Sequence, residues 1–195
     1  MDNKQEAKVA NRVKTQEMLD LTCTMWDDPL VYHYQNLEAI PDDVPSVFLF
    51  GPSSREDVLE FKWRPYGVKF LREWGFGGLI IVPEPRNNDW SFKENFPVPI
   101  VSWERERLLG VKKAVGWVPR HPTQLPGRVT NTELGFMGGM AYADPERFKD
   151  RLIWGYPHDA WKVKSEDHWI SDISGIQPFH DLEAMCKHVA LRFKQ

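Results

Sequence analysis

One stretch of the chain gathers the residue types that chemistry needs: Leu125-Pro126-Gly127-Arg128-Val129-Thr130-Asn131-Thr132-Glu133-Leu134-Gly135, a glycine-bearing loop running into a helix. In or near the first turn of that helix, Glu133 would feel backbone N–H groups that favour a charged carboxylate. The spacing allows a second use. Thr130 and Glu133 also form the Thr-x-x-Glu pattern in which two side chains close a helix N-terminus. An ionised glutamate can attack or stabilise a neighbouring cation, whereas a capping glutamate is structural. The six histidines, His33, His121, His158, His168, His180 and His188, show no metal-ligand spacing, and Cys23 and Cys186 form no CxxC or Cys/His pattern. No cofactor is expected.

The elements that must position Glu133 are legible as short apolar runs ending in Gly or Pro. Val47 to Pro52, Gly78 to Pro83, Ala114 to Pro119 and Leu152 to Pro157 read as buried strands over 47–51, 79–82, 115–118 and 152–155. Between them lie helix-compatible segments: 58–74 with Pro65 near a plausible start, 102–109, 130–142, and 181–193 with Asp181 as cap. Strand and helix in alternation predict a parallel sheet covered on both faces. Ligands of such sheets bind at the carboxyl ends of the strands. Gly51-Pro52-Ser53-Ser54-Arg55, Glu84-Pro85-Arg86, Arg120-His121 and Tyr156-Pro157-His158-Asp159 should therefore share one rim. There Ser53 and Ser54 could bind sugar hydroxyls or a phosphate, with Arg55, Arg120 or Arg128 supplying charge; the competing reading is a turn with surface arginines.

Residues 1–45 read as a helix-prone charged leader and a Pro/Asp-rich aromatic segment, an extension packing on a domain of residues 46–195. A hydrophobic content of 42%, 27% charged residues and no apolar stretch of membrane-spanning length predict a soluble chain without a membrane partner. The polar start MDNKQEAKVANRVK lacks a secretory pattern, so a cytoplasmic location is expected. A net charge of -3 argues against duplex nucleic acid as a partner. The nine tryptophans are read mainly as core and interface packing, with a planar-ring pocket as the second use.

Five segments in order, VFLFGPSSR, WRPYGVKFLREWGFGGLIIVPEPR, WERERLLGVKKAVGWVPR, LPGRVTNTELG and GYPHDAWK, resemble the nucleoside 2-deoxyribosyltransferase-like family across residues 46–195. The resemblance implies a flavodoxin-like, mainly parallel five-stranded sheet, a homo-oligomer, and Glu133 as the glutamate that attacks the anomeric carbon. It also implies a carboxylate on the helix before the third strand, near the substrate, and Trp103-Glu104 matches it. Glu104 would orient the nucleoside or assist protonation of the leaving base; within the Glu-Arg-Glu-Arg run 104–107 it also reads as one charge on a solvated helix face. Gly51, Ser53, Ser54, Arg120, Arg128, Asn131, Glu84 and Asp159 fall in segments that would bind substrate. The chain departs from the family pattern at Lys112 and Ile100, and Phe48 stands where a steadying tyrosine would lie.

Three functions follow as expectations. The first is base exchange on a 2'-deoxyribonucleoside through a glycosyl ester at Glu133. In the second, water replaces the incoming base and the substrate is a nucleoside 5'-monophosphate, whose phosphate Arg128 and the helix N-terminus would suit. The third is a non-catalytic nucleotide-binding protein.

Overall fold

The computed structural model describes residues 3–53, 62–86, 89, 91 and 97–194, with side chains from residue 14. Five strands form one all-parallel sheet: β1 (Val31–Tyr32), β2 (Ser46–Phe50), β3 (Leu79–Ile81), β4 (Lys113–Trp117) and β5 (Leu152–Gly155), in the spatial order β1-β3-β2-β4-β5. The helices are α1 (Asn3–Asp27), α2 (Arg64–Glu73), α3 (Ile100–Gly110), α4 (Arg128–Ala143), α5 (Pro145–Phe148), α6 (Lys164–Ser174) and α7 (Leu182–Arg192).

Both faces of the sheet are covered, which explains why its strands read as continuous apolar runs rather than alternating ones. Val47, Leu49, Ile80, Val115 and Ile153 point to a core completed by Met25 and Trp26 of α1, Leu71 of α2 and Met185 and Val189 of α7. Phe48, Phe50, Ile81, Ala114 and Trp154 point the other way, to Trp103 and Leu108 of α3, Leu134 and Met137 of α4 and Ile170 of α6. Neighbouring strand residues thus feed opposite cores, as the two-residue period requires.

The order β3-β2-β4-β5 is that of a flavodoxin-like sheet, in which the chain moves one way from β2 to β3 and then crosses back to β4. The crevice at that reversal lies beyond the carboxyl ends of β2 and β4. The fifth strand comes from a place the sequence did not suggest. The N-terminal segment supplies edge strand β1, whose Val31 and Tyr32 pair with Ile80 and Ile81 of β3. Past β5, a parallel bridge joins Gly155 to Phe179.

Element boundaries follow local chemistry. Pro65 occupies the first turn of α2, where a missing N–H costs nothing; the helix expected over 58–74 runs from Arg64 to Glu73, and residues 58–61 lie outside those described. Asp181 caps α7 by accepting a hydrogen bond from the Ala184 N–H at 2.7 Å. Five of the tryptophans, Trp26, Trp63, Trp103, Trp117 and Trp154, are core residues. No helix among the described residues is long and apolar enough to cross a membrane.

Candidate functional site

Helices α3 and α4 stand side by side on one face of the sheet, and their facing residues recur at helical spacing. Val101, Glu104, Arg105 and Leu108 on α3 and Val129, Thr132, Glu133 and Phe136 on α4 enclose a cavity of about 210 Å³. Each helix thus offers one carboxylate to a space otherwise walled mainly by hydrocarbon. Glu133 and Glu104, read from different motifs, meet here.

Glu133 differs in one respect from expectation. Helix α4 begins at Arg128, with Gly127 in the left-handed conformation (φ 63°) at its N-cap and no side-chain cap. Thr130 is buried in the first turn, and Glu133 falls in the second, so neither the Thr-x-x-Glu cap nor an ionising helix terminus operates. The electrostatics run the opposite way. Burial and the negative charge of Glu104 push the Glu133 carboxyl up to about 8, and the Arg64 guanidinium pulls it back in part. With the Glu104 carboxylate charged, Glu133 is therefore mostly protonated below about pH 8.

Arg64 had no role in the sequence reading. Its side chain is 2% exposed and binds the ends of two strands. Nε donates to the Leu49 carbonyl at 2.9 Å, Nη2 to the Gly51 carbonyl at 2.7 Å and Nη1 to the Ser53 hydroxyl at 3.0 Å. Nη1 also forms an ion pair with Glu84. Ser53 in turn donates to Glu84 at 2.9 Å. Gly51 is obligatory at this point, because a Cβ there would lie 2.2 Å from the Trp117 carbonyl oxygen. Gly51, Ser53 and Glu84 are thus joined at the rim as expected, with Arg64 as the centre. The Glu84 Oε2 atom is buried and has no hydrogen-bond partner among the described residues. Ser54 lies outside the described residues.

A phenol also lies near enough to Glu104 to feel its charge. Phe48 is fully buried core, but Tyr34, just after β1, packs edge-on against Trp103 at 5.5 Å and donates to the Val98 carbonyl at 2.5 Å. Burial and the charge of Glu104 push its hydroxyl upward. Trp103 Nε1 and Arg107 Nη2 both donate to the Asn36 carbonyl at 2.9 Å, fastening this segment to α3. Nothing in the irregular segment around Tyr34 marked it for the site.

Arg120 and Asn131 are joined to each other, with Asn131 exposed on the first turns of α4. Arg120 is 4% exposed and turns inward: Nη1 donates to the Lys162 carbonyl at 2.6 Å and pairs with Glu166 at 3.0 Å, and Nη2 donates to the Asn131 side chain. These contacts tie the start of α4 to α6. Arg128 is exposed in the first turn of α4, and Asp159 is exposed after β5; no hydrogen bond or ion pair among the described residues joins either to Glu133. Among the described residues no group of three or more His, Cys, Asp or Glu is placed to hold a metal ion. No protein-family model and no curated protein matches the chain.

Proposed function

We propose that the chain cleaves or transfers at the N-glycosidic bond of a nucleoside or nucleotide, in the manner of the nucleoside 2-deoxyribosyltransferase-like family, with Glu133 as nucleophile and Glu104 as its acid partner. The observation that carries the reading is the pair itself: two carboxyl groups on facing helices lining one cavity, with burial and the charge of Glu104 raising the Glu133 carboxyl.

One proton on two carboxyls is the state this reaction uses. The departing base must be protonated, and the cation growing at C1' must meet a negative charge or be captured by it. In the productive arrangement Glu104 holds the proton and Glu133 the charge. Positive charge on the sugar and the nearby Arg64 both favour that arrangement, against burial and the charge of Glu104, which favour the proton on Glu133. The apolar walls Val101, Leu108, Val129 and Phe136 suit a planar base and keep the local dielectric low, which strengthens each electrostatic term. Ser53, exposed just past β2, would receive a sugar hydroxyl. The exposed apolar residues around the cavity mouth support a site completed by assembly into a homo-oligomer.

Incubation with deoxynucleosides, nucleoside monophosphates and NAD, each with and without free adenine or cytosine, tests this directly. Exchanged base identifies transfer and released base identifies hydrolysis. Neither product from any member of the panel, with a folded protein, would leave a non-catalytic binding protein as the surviving alternative.

A further inference from the structure

A second cavity, of about 270 Å³, opens on the opposite edge of the sheet, between the starts of β4 and β5, the end of α6 and the last turns of α7. Its floor is apolar, formed by Leu152, Ile153 and Phe179, and its rim carries Lys113, Lys149, His188 and Arg192 against one acid, Asp150. This gathering of positive charge runs against the chain's net charge of -3.

The basic groups are not consumed by the fold. Lys113 Nζ donates to the backbone carbonyl of Asp150 at 2.6 Å. No ion pair among the described residues joins Lys113, Lys149 or Arg192 to a carboxylate. Neighbouring Arg151, by contrast, is committed, with Nη2 donating to the Leu109 and Val111 carbonyls at 2.6 Å each. The rim cations repel one another. Burial lowers Lys113, Asp150 opposes that, and Arg192 and Arg151 add to it; burial, Arg192 and Lys113 all lower His188, whose ring leans on Phe179 at 5.1 Å. A multiply charged anion would offset the repulsion among Lys113, Lys149 and Arg192 by attracting all three.

We propose that this cavity is a second ligand site, for a small phosphate-bearing anion, separate from the Glu133 cavity and independent of its chemistry. A lone carboxylate would leave most of the positive charge unmatched. A phosphate group offers more charge and several acceptor oxygens to Lys and Arg donors approaching from different elements. The cavity lies below the usual range for drug-sized ligands, so it fits an inorganic phosphate, a pyrophosphate or a short phosphomonoester.

The test uses the full chain at low ionic strength, where exposed charges are least screened, with inorganic pyrophosphate and then inorganic phosphate as titrants. The readout is the set of backbone amide chemical shifts. Saturable changes are expected at residues 113, 149–153, 175–177, 179 and 188–192, with a dissociation constant below about 1 mM. Lys149→Gln and Arg192→Gln, both at exposed positions, should each weaken binding about tenfold, and Glu133→Gln should leave it unchanged. Changes that fail to saturate, changes confined to residues 127–133, or equal affinity in the Lys149→Gln/Arg192→Gln double variant with a native circular dichroism spectrum would overturn the site.

Discussion

Glu133 is buried at a price in ionisation, and that fixes two measurable dependences on pH. The first concerns stability. In the unfolded chain its carboxyl titrates near 4.5, and in the fold near 8. Between these values the folded state binds the extra proton, so the contribution to stability is full below 4.5 and is lost as pH rises through about 8. Glu133→Gln removes that slope. The variant should match the parent near pH 5 and exceed its melting temperature at pH 8.5 by roughly 2–8 °C, as differential scanning calorimetry would reveal. The second concerns rate. If the pair needs one proton, kcat/KM falls on the alkaline side as that proton leaves, with a midpoint near 8. Replacing Glu104 with Gln takes away both the acid and the like charge, so the activity left, lower by about 10²- to 10⁴-fold, should rise with pH along a limb moved below 8 rather than fall. A Glu104→Gln profile that keeps the parent's alkaline limb would show that Glu104 is only part of a solvated helix face. Glu133→Gln should be the deeper lesion, removing base release by several orders of magnitude.

At the scale of elements, the site depends on how α2 is anchored across the ends of β2 and β3. Arg64 is the anchor, and removing it strands the Glu84 carboxylate and exposes the Leu49 and Gly51 carbonyls to an unfilled gap. Breaking one side of a buried pair typically costs about 3–5 kcal/mol. Arg64→Met should approach that loss in chemical denaturation, and the Arg64→Met/Glu84→Gln double variant should lose less than the sum of the singles. The same change removes the cation near Glu133, so its carboxyl should rise further and any residual activity should shift its alkaline limb upward. How far this element logic could be read beforehand depended on where the signal lay. The core strands announced themselves because burial on both faces leaves no polar alternation to confuse them. Strand β1 did not, since its Val31 and Tyr32 become a strand only by pairing with β3, and the surrounding Pro and Asp suggest loop. Helix α6 was missed because only Trp169, Ile170 and Ile173 of KSEDHWISDIS are large and apolar, and two of the three face solvent. The Glu133–Glu104 meeting was inferred from family-like motifs, but the i, i+3, i+4, i+7 spacing of the cavity face was already present in 101–108 and 129–136. Arg64 escaped because a charged residue beside a proline looks like surface until the sheet is assembled around it.

For the whole molecule, the cavity opens among exposed apolar side chains. Val101 is 68% exposed, Val129 56% and Phe136 42%, and all three line the opening that holds the two glutamates. Single exposed apolar side chains are ordinary, but several around one concavity mark a surface that another chain or ligand covers. The tryptophans do not supply this surface, because most of those described are core, although Trp169 on α6 is 66% exposed. A homo-oligomer that closes over α3 and α4 would shield the apolar rim, exclude water from the glycosyl intermediate and favour transfer over hydrolysis. The chain should therefore run as at least a dimer in light scattering at micromolar concentration. Val129→Asp places a charge at the centre of that rim on a residue whose side chain is already half in solvent, so the monomer should still fold. Its mass should fall to that of one chain while its circular dichroism is retained, and base exchange should drop more than hydrolysis, because an open site admits water more readily than a second base. A parent protein that is a monodisperse monomer would overturn the assembly itself, and a Val129→Asp variant that stays oligomeric and fully active would place its surface elsewhere; in either case the two glutamates work in a single open cleft.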